Sequence, residues 1–116
     1  MILLDFIEGL LKEIIREGTN DEMAMYDDRT EIHYIGSLLD GTVFENSRDR
    51  GKPITFNLGK GDVLKAWDIG VATMKRGEIA KFLSKPKYAY GLKGLEGKVP
   101  TASSVFFEIE LLNFEG

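Results

Sequence analysis

The residues best placed to form a site are aromatic. Trp67, the single tryptophan, lies in Asp62-Val63-Leu64-Lys65-Ala66-Trp67-Asp68-Ile69-Gly70, a segment that reads as a short helix. Further on, Tyr88-Ala89-Tyr90-Gly91 opens a glycine-rich loop. An indole on a helix beside such a loop predicts an apolar bowl with a few polar groups on its rim, the usual form of a binding site. The plainer reading is that Trp67 is core. Tyr34, Phe44, Phe56, Tyr90 and Phe107 complete the aromatic set, some of which must be core. Glu45 and Arg50, just after Phe44, are the nearby polar candidates, with an ordinary surface role as their alternative.

Other chemistry finds little support. His33 is the only histidine, and it lies mid-strand with no suggestive neighbour, although a histidine–serine dyad is conceivable. There are no cysteines, so disulfides, thiol nucleophiles and thiolate metal sites are excluded. No metal-ligand spacing appears, so no metal or cofactor is expected. Gly59-Lys60-Gly61 lacks the G-x-x-x-x-G-K-[ST] pattern of a phosphate loop. Glu108 and Glu110 alternate on an exposed strand face and read as solubilising; Asp27-Asp28 reads as a turn.

The elements that must position the aromatics are short and separated by glycines. Leu3, Ile7, Leu10, Leu11, Ile14 and Ile15 recur at helical spacing, which favours a helix at the start, with an irregular strand over 10–17 as the alternative. Thr30 to Leu39 reads as a strand, and Asp40-Gly41 as a hairpin turn. Strands follow at Val43-Phe44, Ile54–Leu58 and Glu78–Ser84, with a loop from Tyr90 to Thr101. Ser104–Phe114 is the best strand, Val105, Phe107, Ile109 and Leu111 pointing one way. Val63, Leu64, Trp67, Val71 and Met74 form a helical stripe with Asp62 as N-cap and Gly70 as a weak point. The sum is an α+β fold, an antiparallel sheet with one amphipathic helix on one face. The helix face should meet Phe107.

The length of 116 residues implies one domain with a real core. A net charge of −4 argues against nucleic acid as the main partner, and the scattered basic residues read as a solvated face. The apolar start is interrupted by Asp5 and Glu8 and lacks the features of a signal peptide. No apolar run approaches membrane-spanning length, so no membrane partner is expected. The lack of disulfides fits a reducing compartment.

His33-Tyr34-x-Gly36, Asp40-Gly41-Thr42-x-Phe44, Ser47-Arg48-Asp49-Arg50, Leu58-Gly59-Lys60-Gly61, Ala66-Trp67-Asp68-x-Gly70, Tyr88-Ala89-Tyr90-Gly91 and Phe107-Glu108-Ile109-Glu110-Leu111-Leu112 occur in that order. Together they resemble an FKBP domain, the immunophilin peptidyl-prolyl cis-trans isomerase that binds tacrolimus and rapamycin. The stretch from Lys65 to Lys75 is most similar to the first FKBP domain of large multi-domain immunophilins. Those carry a helical-repeat module that docks on a heat-shock chaperone, so the chain is expected to be a domain cut from a longer protein, and a chaperone partner would act through a module outside it. The resemblance implies a five- to six-stranded antiparallel sheet wrapped around one short helix. It also implies a strand rather than a helix over 10–18, an N-terminal extension at 1–9, an isomerase domain at 10–116, a monomer, and a cytoplasmic or nuclear setting.

Carried over residue by residue, the resemblance makes Trp67 the floor of a proline pocket. Tyr34, Phe44, Val63, Leu64, Tyr90, Val99 and Phe107 become its walls. The Leu64 backbone N–H and Tyr90 hydroxyl would donate to ligand carbonyls, Glu45 would be the polar wall group, and Arg50 would hold the rim. Tyr34, Phe44, Glu45, Trp67, Tyr90 and Phe107 are the implied catalytic set. Four departures stand out: Glu45 where the family usually has aspartate, Ile54 for a second aromatic wall, Leu64 for isoleucine, and a loop with Leu95-Glu96 for a frequent His/Pro pair and Lys98 for an apolar residue. Glu45→Asp is expected to raise tacrolimus affinity or turnover. The alternative is a weakly active or inactive protein-binding module of the same fold.

Overall fold

The computed structural model describes the backbone of Ile2 and Leu3 and all of residues 8–116. Seven strands form one antiparallel sheet among the described residues: β1 (Ile2–Leu3), β2 (Leu10–Arg16), β3 (Arg29–Leu38), β4 (Val43–Asn46), β5 (Ile54–Asn57), β6 (Ile79–Ser84) and β7 (Val105–Glu115). The sheet order is β1-β2-β6-β7-β3-β4, with β5 on β3 beside β4. The main sheet therefore has the expected architecture, and the two-residue β1 extends its edge. Residues 1 and 4–7, where the proposed extension and part of the opening helical pattern fall, lie outside the described residues.

The long pair β3–β7 is the spine. Its register runs from Arg29 opposite Glu115 to Leu38 opposite Val105. Alternation places Ile32, Tyr34, Val105, Phe107, Ile109 and Leu111 on one buried face with Leu10, Ala80 and Phe82. That face is the core, and burying it against the helix is the main stabilising term.

The opening helical pattern is overturned from Leu10 onward, where β2 pairs with β6. The physical reason lies in the pairing: the register shifts between Ile14 and Arg16, and such a bulge breaks period-two alternation. Leu10 and Lys12 face inward, whereas Ile14 and Ile15 are exposed. Leu10-Leu11 and Ile14-Ile15 thus imitate a helical stripe without forming one.

The single α-helix among the described residues, α1 (Lys65–Val71), is seven residues long. A helix this short has no stability of its own and depends on tertiary packing. Ala66, Trp67, Gly70 and Val71 form its buried face. Gly70 is a contact rather than a defect: a Cβ there would lie 2.9 Å from the Phe82 ring. The Asp62 cap does not form. Leu64 precedes the first helical residue and no side chain caps it; the exposed Asp62 and half-buried Val63 lie before the helix. The nearby loop is secured by Asp68, whose carboxylate accepts the Gly59 and Gly61 N–H groups at 2.8 and 2.9 Å. Beyond the other end, Lys12 of β2 donates to the Thr73 carbonyl at 3.0 Å and pairs with Glu78 at 2.8 Å, both side chains buried. A cation beside the C-terminal end of a helix also complements its dipole.

Candidate functional site

Five aromatic side chains, from β3, β4, α1, β7 and the loop after β6, meet beside α1. Trp67 lies 4.5 Å from Tyr34 and 5.6 Å from Phe107 between ring centroids. Phe107 in turn lies 6.3 Å from Phe44 and 6.2 Å from Tyr90, and the last two are 5.9 Å apart. These tilted and edge-on contacts are the favoured geometry for aromatic pairs. Burial is graded: Phe107, Tyr34 and Trp67 are buried, whereas Phe44 and Tyr90 are half-exposed. Gly36 makes room for one wall, because a Cβ there would lie 2.7 Å from the Phe44 ring.

The polar edge of this cluster is built around Glu45. Its carboxylate accepts the Tyr34 hydroxyl at 2.7 Å and Lys98 Nζ at 3.2 Å. Arg50 stands 3.9 Å from the same carboxylate and donates to the Tyr34 hydroxyl at 3.1 Å. The Arg50 guanidinium also lies 5.5 Å over the Tyr34 ring, a cation–π distance. The glutamate therefore reaches the edge of the cluster and is held there. Burial pushes its pKa upward, but Tyr34, Lys98 and Arg50 outweigh that and hold it below the ordinary carboxylate value. Burial, then the Glu45 hydrogen bond, raises the Tyr34 hydroxyl above its usual value. Burial, then the charge on Glu45, raises Tyr90 far above the usual tyrosine range. At neutral pH the cluster therefore presents one ionised carboxylate and two protonated phenols.

Two donors on half-buried residues remain free. Among the described residues, neither the Tyr90 hydroxyl nor the Leu64 backbone N–H has a hydrogen-bond partner in the protein. The indole N–H of Trp67 is buried without a partner as well. Of the other residues singled out by sequence, Val99 is buried, and Ile54, Val63 and Leu64 are half-buried against the same hydrophobic core. Phe56 is core, on β5.

Three sequence readings change. His33 does have a neighbour: its Nδ1 lies 2.8 Å from Ser47 Oγ. The serine is fully buried and accepts the Tyr34 backbone N–H at 2.8 Å, so it ties the loop after β4 to β3 and offers no accessible nucleophile. Glu110 is more than a solubilising residue, because Arg16 and Arg48 both pair with it. Lys98, noted only as a departure from the family pattern, is a direct partner of Glu45 across 53 positions. No local spacing could have signalled that pairing. No group of three or more potential metal ligands occurs among the described residues.

Residues 20–112 match the family described as FKBP-type peptidyl-prolyl cis-trans isomerase. The chain is 54% identical over 109 residues to rat (Rattus norvegicus) peptidyl-prolyl cis-trans isomerase FKBP4, covering 94% of this chain and 24% of the relative. It is 45% identical over 108 residues to FK506-binding protein 59 of Drosophila melanogaster, covering 93% and 25%. The chain thus spans about a quarter of these longer relatives. Against Drosophila peptidyl-prolyl cis-trans isomerase Fkbp12 it is 47% identical over 101 residues, covering 87% of this chain and 94% of the relative. With the ordered motifs, the sheet and the aromatic cluster, these matches establish that the chain belongs to the FKBP-type peptidyl-prolyl cis-trans isomerase family.

Proposed function

We propose that the aromatic cluster binds X–Pro segments and that this chain catalyses rotation about the X–Pro bond. The observation that carries this reading is the joining of five contacting aromatic rings with two unpartnered donors, Tyr90 O–H and Leu64 N–H. Trp67 is the floor. Tyr34, Phe44, Ile54, Val63, Leu64, Tyr90, Val99 and Phe107 are the walls, with Glu45 and Arg50 at the rim.

Amide resonance sets a rotation barrier of about 18–20 kcal/mol. No covalent bond is made or broken, so the reaction requires neither acid, base nor metal. Twisting the amide reduces its charge separation, and an apolar surround disfavours the polar planar state relative to the twisted one. The two free donors fix the orientation of the substrate carbonyls. The raised pKa of Tyr90 keeps its hydroxyl a neutral donor throughout the working pH range. Each reduction of about 1.4 kcal/mol in the barrier gives tenfold in rate.

Residues 10–116 constitute the isomerase domain in this proposal, with 1–9 as an extension and a monomer as the working state. The same surface accepts tacrolimus- and rapamycin-type macrolides, which compete with proline-containing peptides and proteins. A contact with a heat-shock chaperone belongs to a helical-repeat module outside this chain, and the cysteine-free composition suits a cytoplasmic or nuclear setting. No helix of the described residues is long and apolar enough to cross a membrane.

Exchange NMR on Ala-Leu-Pro-Phe, with and without the protein, tests the activity. Faster cis–trans exchange at substoichiometric protein is expected. Unchanged exchange at stoichiometric protein would overturn the enzymatic reading and leave a binding module.

A further inference from the structure

Glu45 has three partners, and they differ in how firmly they belong to the fold. Tyr34 is buried in the sheet, and its hydroxyl joins Glu45 to Arg50. Lys98 comes from the loop between β6 and β7 and leaves 47% of its side chain exposed. Its ammonium has three N–H donors, and Glu45 is its one partner among the described residues. The backbone beneath it is well held. Leu95 and Val99 exchange N–H···O bonds at 2.9 and 2.7 Å, and Lys98 N–H donates to the Leu95 carbonyl at 2.9 Å. Val99, next in sequence, is buried. Lys98 is thus a charge on a fixed base with unused donors.

Among the charged groups in contact with Glu45 the balance is positive. Arg50 and Lys98 face the single carboxylate of Glu45, leaving an excess of one positive charge in a chain whose net charge is −4. Beside Lys98, a groove of about 290 Å³ is lined by Leu38, Gly97, Lys98, Val99 and Pro100. It offers space for a side chain, with an ammonium on its wall, and that ammonium lies 3.2 Å from Glu45, which accepts the Tyr34 hydroxyl at the edge of the aromatic cluster.

We propose that Lys98 is a specificity-determining residue that favours X–Pro segments carrying a carboxylate on a residue adjacent to the proline. That carboxylate enters the groove and takes the free donors of Lys98, while Tyr34 and Arg50 continue to hold Glu45. A lysine at the same substrate position meets like charge. Because Lys98 is half-exposed, the discrimination is that of a solvent-accessible ion pair, about three- to fivefold in affinity, and it shrinks with added salt.

This inference rests on the proposed proline site, and the test separates the two. Ala-Leu-Pro-Phe, Ala-Glu-Pro-Phe, Ala-Lys-Pro-Phe and Ala-Leu-Pro-Glu are titrated into wild type and Lys98→Gln, with Kd read from chemical shifts and cis–trans rates from exchange spectra. At low salt, at least one glutamate peptide is expected to bind wild type about three- to fivefold more tightly than its leucine or phenylalanine counterpart. The Ala-Lys-Pro-Phe peptide should bind more weakly, and Lys98→Gln should abolish the ranking. Equal Kd values for acidic and neutral peptides, or a glutamate preference that survives Lys98→Gln, would overturn the role of Lys98 whether or not exchange is accelerated. Unaccelerated exchange with the ranking intact would overturn the isomerase reading alone.

Discussion

Glu45 and Glu110 are two carboxylates in nearly the same electrostatic situation. Each faces two cations, Arg50 and Lys98 for one, Arg16 and Arg48 for the other. Their side chains are 21% and 19% exposed, and both pKa values fall below the ordinary one although burial acts against it. What differs is what lies behind their partners. Glu45 accepts the hydroxyl of Tyr34, whose ring rests 4.5 Å from Trp67. Glu110 joins Arg16 of β2 to Arg48 after β4, across the outer face of the sheet. Charge pairing alone therefore does not mark a site; one ion-pair cluster is coupled to the aromatic rings, and the other only ties strands together.

A third pair sets the scale for both. Lys12 and Glu78 are 7% and 2% exposed in their side chains, so removing one partner strands a buried charge. Lys12→Met should cost about 3–5 kcal/mol of stability, measured by urea unfolding. A loss below about 1 kcal/mol would mean that burial does not separate this pair from the half-exposed ones.

The comparison itself is tested by matched substitutions. Glu45→Gln should lower kcat/KM about tenfold, equivalent to about 1.4 kcal/mol, because the Tyr34 hydroxyl loses its charged acceptor. Glu110→Gln should leave kcat/KM unchanged and lower stability by about 0.5–1 kcal/mol. Equal effects on activity would erase the distinction between the two clusters.

The smallest effect is on pH dependence. Both folded-state pKa values are depressed, so the stability these carboxylates contribute is complete above their unfolded value of about 4.3. It is lost as pH falls through the folded values. Urea midpoints should decline on the acid side of that range, and each glutamine variant should flatten the decline. An acid loss of activity beyond that explained by unfolding should vanish in Glu45→Gln and persist in Glu110→Gln.

Much of this was legible in the sequence, for reasons that differ from residue to residue. β7 declared itself because Val105, Phe107, Ile109 and Leu111 alternate against one buried face. Trp67 stands out as a lone indole on a helical stripe and Tyr90 as part of an aromatic–glycine loop, and the ordered motifs add the pocket roles. Periodicity favours a helix at β2 because its bulge and its exposed Ile14 and Ile15 obscure the period-two signal, whereas the strand that the family resemblance implies there does form, over Leu10–Arg16. Gly70 looked like a flaw because local propensity cannot see the Phe82 ring packed against it. The Glu45–Lys98 and His33–Ser47 contacts were hidden because they arise only when separate loops and strands are brought together.

If isomerisation takes place over Trp67, catalysis and the environment of one indole must change together. Tacrolimus is titrated while the fluorescence of this single tryptophan and the catalysed exchange of Ala-Leu-Pro-Phe are recorded. The fluorescence change and the loss of catalysis should follow one saturation curve with a common midpoint. Catalysis that persists when the Trp67 signal is saturated, or that is lost while the signal stays unchanged, would place isomerisation away from Trp67.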